Sequence, residues 1–245
     1  MPTDDPLSDT VEQLRALALG ATDASGYFAA MYARVTRQVA DDVRDGRFRD
    51  PAGMVEFATA FAGYYLRAVE GPATAPRCWR GAFDVAGERG LLIVQHLLLG
   101  MNAHVNHDLP LVVVDLADRR GGIAAMEEDF RTINDVLAAT QPKVLHDLGR
   151  MARWVGMATW AGGDRVFNFS LTAARDQAWR SAVRLHGLEP GERPDDVAEL
   201  DDLVAVLAYL VTRPSPPMGW LVPLGRLLEQ RDPAVVSRQL LGPLR

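Results

Sequence analysis

Apolar residues recur along this chain at the three- and four-residue spacing of a helix and almost nowhere at the alternate positions of a half-buried strand. That pattern predicts an all-α fold. Thr10 with Gln13 reads as a capping box, with Val11, Leu14 and Leu17 at helical spacing around it. A second helix is predicted over 24–45, carrying Tyr27, Phe28, Met31, Val35 and Val39 and stopped by Gly46. Asp50 followed by Pro51 is a cap and first-turn pair, and the helix it opens holds the rings Phe57, Phe61, Tyr64 and Tyr65. Residues 71–76 read as a turn before a helix containing Trp79 and Phe83. The stretch 91–108 reads as one nearly continuous buried helix that should bend at Leu109, because Pro110 disfavours the helical conformation of the residue before it. Val112, Val113 and Val114 have no second β-rich run to pair with, so they are expected in a helical or extended connector. Further helices are predicted from 122 to about Trp160, with a break before Pro142, and near 171–186, 197–211 and 220–229. No fixed-period repeat, low-complexity tract or linker divides the chain, so one multi-helix bundle over 1–245 with a central buried polar helix is expected.

With 48% hydrophobic residues among 245, the chain can bury a sizeable core. The net charge of −6 leaves no broad cationic surface for a polyanion, which argues against a nucleic-acid partner. A lone cysteine, Cys78, cannot form an intramolecular disulfide, and it reads as a small core residue. The acidic start MPTDDPLSDT lacks the basic and apolar regions of a secretory signal, and no apolar run reaches the roughly 20 residues of a membrane span. A cytoplasmic protein without a membrane partner is expected. Arginine supplies nearly all the positive charge, Lys143 being the single lysine, a bias of high-GC, actinobacterial-type genomes.

The chemically unusual segment is QHLLLGMNAHVNHDLP, 95–110, which puts three of the five histidines and two asparagines into the most apolar helix of the chain. Burying polar groups without partners costs roughly 1–3 kcal/mol each, so these have partners or a function. On a helix, His104, His107 and Asp108 share one sector and can converge on a point. His96 shares it too but lies about 16 Å along the axis from His107, too far to share an ion. Asn102 and Asn106 face the other way, toward neighbouring helices. In the functional reading His104, Asp108 and His107 hold Zn or Fe, or His104 and Asp108 act as base and orienting group with Arg175 beside them. In the structural reading Asp108 orients His104 within a buried network that Asn134 and Arg175 complete. The sequence ARDQAW sets Arg175 and Trp179 one turn apart, and their helix is predicted to pack on 102–108, the cation neutralising Asp108 and the ring covering it, with Asp129 and Asn134 nearby. Dinucleotide, P-loop and α/β-hydrolase signatures are absent. Trp154, Trp160, Trp179 and Trp220 read as core, although a pocket for an apolar ligand would use the same residues.

The segments FAGYYLRA (61–68), CWRGAF (78–83), LLLGMNAHVNHDLP (97–110) and ARDQAW (174–179) resemble an uncharacterised family of helical bacterial proteins known mainly from actinobacteria. Its specific part is the pattern made by Asn102, Ala103, His104, Asn106, Asp108 and Leu109, and it implies a helical fold without an activity. A shorter stretch, Leu99, Gly100, His104, Asp108 and Pro110, is similar to the all-helical zinc-dependent phospholipase C and P1-type nuclease group. That group places its proline later and follows it with a histidine, and its three zinc ions need more ligands than can be assigned here. Three functions are therefore compared. One is an enzyme acting on a small, mainly apolar metabolite, such as a natural-product tailoring enzyme, through the His104/Asp108 pair. Another is a non-catalytic protein binding a hydrophobic ligand. The third is a metal-dependent phosphoesterase.

Overall fold

A computed structural model describes residues 7–154, 164–214, 216 and 218–242. Its order is α1 (Ser8–Gly20), α2 (Ser25–Arg44), α3 (Pro51–Glu70), α4 (Arg77–Asp84), α5 (Ile93–Ala103), a π-helical turn (His104–Asp108), α6 (Leu109–Arg120), a short 3-10 turn (Ile123–Met126), α7 (Glu127–Met151), α8 (Asp164–His186), α9 (Arg193–Thr212), α10 (Met218–Leu227) and α11 (Pro233–Leu241). The architecture is an all-α multi-helix bundle. Among the described residues the only strand-type pairing is an isolated bridge between Ala152 and Glu229. No described helix is long and apolar enough to cross a membrane. Trp160, toward which one helix is predicted to run, lies outside the described residues.

Local signals account for several boundaries. The Asp50 side chain accepts from Gly53 N at 2.9 Å and Pro51 fills the first turn of α3, where its missing N–H costs nothing. The same pair recurs at Asp232 and Pro233, where Asp232 accepts from Ala234 N at 2.9 Å to open α11, a helix beyond those expected from the apolar spacing. At α1 the expectation fails: the helix begins at Ser8 with Leu7 as its N-cap and no side-chain cap, so Thr10 lies inside it and is buried. Burial of Val11 and Leu14 in its first two turns stabilises the start of the helix instead.

Two prolines are expected to interrupt helices and do not. Pro142 sits inside α7. The loss of a helical hydrogen bond, about 3 kcal/mol, is offset by packing of Val136, Val144 and Leu148 on either side, all buried. Around Pro110 the helical backbone passes from α5 into α6 through the π turn, in which Leu109 N bonds His104 O, five residues back, and Leu109 keeps helical dihedrals. The extra residue in this turn widens the helix ahead of the pyrrolidine ring, so Pro110 is received in the first turn of α6. Val112, Val113 and Val114 are helical and buried.

The π turn occupies the middle of the bundle, against α3, α5, α6, α8 and α9. Helix α2 crosses α5 closely at Gly100, where a methyl group added to the glycine would stand 2.5 Å from Phe28 Cγ. Phe28 is also part of the ring cluster beside His104, so this crossing sets how near α2 comes to the π turn. Gly100→Ala should therefore lower stability by about 1–3 kcal/mol through overpacking, read as a shift in the urea midpoint without a change in slope. A neutral effect would mean that the crossing has slack.

Candidate functional site

The π turn gathers its polar side chains on one carboxylate. Asp108 is 1% exposed. Its Oδ2 lies 3.0 Å from His104 Nδ1 and accepts from Trp79 Nε1 at 2.9 Å, and its Oδ1 lies 2.9 Å from His107 Nδ1. Both imidazoles are 3% exposed. Burial is the largest influence on Asp108 and pushes its carboxyl upward, but the bonds from His104 and His107 outweigh it and hold the group below the usual carboxylate range. Burial likewise pushes the His104 imidazole down, against the opposing pull of Asp108. The state this favours is an ionised Asp108 receiving N–H from neutral His104 through Nδ1, which leaves His104 Nε2 as the unprotonated nitrogen.

His104 Nε2 is buried and has no hydrogen-bond partner among the described residues. Aromatic rings surround the imidazole: Phe61 of α3 stacks on it at 3.6 Å between centroids, Tyr32 of α2 stands edge-on at 4.5 Å, and Phe28, Tyr65 and Trp79 complete the cluster. The phenol pKa values of Tyr32 and Tyr65 are raised by burial, so both remain protonated. On one side of this cluster lies a cavity of about 130 Å³ between α2, α3, α5, α7 and α8, lined by Met31, Phe57, Met101, Ile133 and Leu137 among others and reached by His104 and Arg175.

Arg175, 3% exposed, is the only residue with a fixed charge lining that cavity among the described residues. Its Nε donates to Asn134 Oδ1 at 2.6 Å and its Nη2 to Phe130 O at 2.9 Å, and the guanidinium lies over the Phe130 ring at 4.4 Å. It makes no ion pair with a described residue, and burial pushes its pKa down to about 10. The threonine hydroxyls in the lining, Thr36 and Thr140, bond to carbonyls of their own helices.

Of the residues singled out in the sequence, His104, His107 and Asp108 therefore meet, and Asn134 meets Arg175. Helix α8 packs on the π turn as predicted. Arg175, however, does not bond Asp108, because Asn134 and Phe130 O take its donors on the far side of the cavity. Trp179 packs against Phe130 at 4.6 Å and is not the ring that bonds Asp108. That ring is Trp79, which the sequence pattern places only in a helix. Asp129 lies elsewhere, accepting from Arg49 N and Asp50 N at the start of α3. Asn102 donates to Val204 O of α9 at 2.9 Å, as expected of a side chain facing a neighbouring helix, whereas Asn106 donates to Asn102 one turn back in the same run of helix. Among the described residues, the group of His, Cys and acidic side chains close enough to share one ion is Cys78, His107 and Asp201, which has only His107 in common with the expected set.

Burial of these groups has a consequence in acid. His96 is pushed down to about 4 from 6.5, mainly by burial and further by Arg226. A histidine whose folded pKa lies below its unfolded value leaves the unfolded chain to take up protons first, so its stabilising share is lost as pH falls below 6.5. His104 and Asp108 act in the same direction. His96 alone should remove roughly 2 kcal/mol between neutral pH and about pH 5. Urea unfolding at the two pH values should show at least that loss for the wild type and a smaller one for His96→Gln; equal losses would contradict the assignment.

A search of curated proteins and a search of solved structures each found no match. The pattern of a family of unknown function, DUF5995, matches residues 7–214, a span that includes the Asp108 cluster, the cavity and α9. The chain belongs to that family.

Proposed function

We propose that the chain acts on a small, mainly apolar molecule carrying one anionic group, held in the cavity between His104 and Arg175. The observation that carries this reading is the chemistry of the lining: mostly apolar, with the hydroxyls of Thr36 and Thr140 already bonded to carbonyls of their own helices, a buried guanidinium without an ion pair to a described residue, and an imidazole whose Nε2 has no described partner. Burial of the guanidinium outweighs the pull of the Asp176 charge on it, and an anionic ligand in direct contact would relieve that cost through charge-assisted hydrogen bonds. Nη1 of Arg175 makes no hydrogen bond to a described residue and is the donor left for it. Around 130 Å³ suits an apolar tail of about six non-hydrogen atoms, the scale at which an engineered apolar cavity takes benzene.

In this reading Arg175 binds the anionic group, the aromatic and aliphatic walls exclude water, and His104 Nε2 accepts a proton from the bound molecule. Asp108 fixes the tautomer and stabilises the imidazolium that forms, as the orienting carboxylate of a hydrolase triad does. A non-catalytic carrier is the second reading. It is favoured by the burial of His104 Nε2, which has no open surface in the resting state.

Small carboxylates with short aliphatic or aromatic tails, phenylacetate and hexanoate among them, should bind by calorimetry more tightly than their neutral alcohols. Arg175→Met should remove that preference by at least about tenfold, the value of one charge-assisted bond. Metabolite extracts passed over the protein should then yield an acid that wild type consumes and His104→Gln retains unchanged. Retention unchanged by both would select the carrier, and no preference for carboxylates would overturn the proposal.

A further inference from the structure

Asp201 of α9 reaches across to the first turn of α4, where its Oδ1 accepts from Cys78 N at 2.9 Å and its Oδ2 from Arg77 N at 2.8 Å. This contact draws Cys78 Sγ, a ring nitrogen of His107 and a carboxylate oxygen of Asp201 to within 4.8 Å of one another. We propose that Cys78, His107 and Asp201 bind one transition-metal dication, with Zn²⁺ the best-fitting ion, at a site separate from the cavity that joins α4, the π turn and α9.

The donor set selects the ion. Thiolate, imidazole and carboxylate together suit Zn²⁺, whereas Mg²⁺ and Ca²⁺ take oxygen donors almost exclusively. Burial and the Asp201 carboxylate push the Cys78 thiol up, so it is protonated at rest; an ion that binds there releases this proton to solvent, and the thiolate formed carries, with the carboxylate, two negative charges, which a dication cancels. In a tetrahedral zinc site the ligand atoms stand roughly 3.3–3.8 Å apart, so the cluster, within 4.8 Å, needs to close by at most about 1.5 Å.

A second observation points the same way. His107 Nδ1 is engaged by Asp108 Oδ1 at 2.9 Å, which fixes the ring and leaves Nε2 as the nitrogen available to an ion. A carboxylate behind a ligating histidine is the usual support of a zinc site, orienting the ring and raising its basicity. Cys78 is fully buried and His107 3% exposed, so an ion held there is shielded on those sides; Asp201, half-buried, borders the side from which a water can complete four-fold coordination. Asp108 thus supports His107 at the ion and His104 at the cavity through its two different oxygens.

The test uses the full chain without an affinity tag. Titration with Zn²⁺ against a chromophoric chelator should give one equivalent, and Co²⁺ should give the intense visible bands of tetrahedral coordination together with a thiolate-to-cobalt charge-transfer band in the near ultraviolet. Cys78→Ser should abolish the charge-transfer band and weaken Zn²⁺ binding by at least about 100-fold, Asp108→Asn should weaken it by about 10- to 100-fold, and His146→Ala should change nothing. A wild-type cobalt complex lacking the charge-transfer band, no stoichiometric Zn²⁺, or full-strength binding by a folded Cys78→Ser protein would overturn the proposal. The wild-type spectrum decides the matter even where a variant does not fold, and neither result bears on carboxylate binding in the cavity.

Discussion

The arrangement of the bundle's centre depends on one buried carboxylate. Ionised Asp108 would be costly by several kcal/mol in so enclosed a place, and it is tolerated because three N–H groups converge on it from His104, His107 and Trp79. Hydrogen bonds to a charged acceptor contribute roughly 1.5–3 kcal/mol each, so three are of the magnitude required. The geometric consequence follows directly. Trp79 ties α4 to the π turn, Asp201 ties α9 to the first turn of α4, and Asn102 ties the end of α5 back to α9 through Val204 O. Helices that hydrophobic burial alone would pack loosely in register are thereby set at one position.

The π turn is what makes the convergence workable. In a regular helix His104 and Asp108 would be stacked one turn apart, with His107 beside them. The widened turn opens the backbone ahead of Pro110 and lets both imidazoles address different oxygens of the same carboxylate. Single π turns inside longer helices are frequent at functional sites, because they cost backbone hydrogen bonding and persist where side-chain interactions compensate. Here the compensation is the Asp108 network on one face and the packing of the buried Val112, Val113 and Leu116 immediately beyond.

How much of this is legible in the sequence follows from the range of each interaction. Apolar spacing reveals most of the helices, and the caps Asp50 and Asp232 lie next to the prolines they precede, so local chemistry is enough to place α3 and carries the same signal for α11. The segment from Asn102 to Pro110 stands out because polar residues interrupt an apolar helix, and His104 and Asp108 do meet at their expected i,i+4 separation. Trp79 is 29 residues from Asp108, and Cys78 is 123 from Asp201. Nothing in spacing reveals such pairings, although a buried indole needs an acceptor and a helix start without a capping side chain of its own needs one from elsewhere. The expected association of Arg175 with Asn134 holds and that with Asp108 does not, since helical register fixes the direction of a side chain and not the depth of the cavity it faces. The π turn escapes sequence reasoning because proline rules describe regular helices.

The same carboxylate stands behind both chemical regions, the cavity through His104 and the Cys78, His107 and Asp201 cluster through His107. Both regions therefore depend on the protonation state it imposes. Long-range ¹H–¹⁵N NMR on histidine-labelled protein reads that state directly. The predicted result is a neutral His104 with its proton on Nδ1 and a bare Nε2, unchanged as pH falls from about 7.5 to below the ordinary histidine value of about 6.5. A His104 carrying its proton on Nε2, or one that titrates at or above that ordinary value, would contradict it.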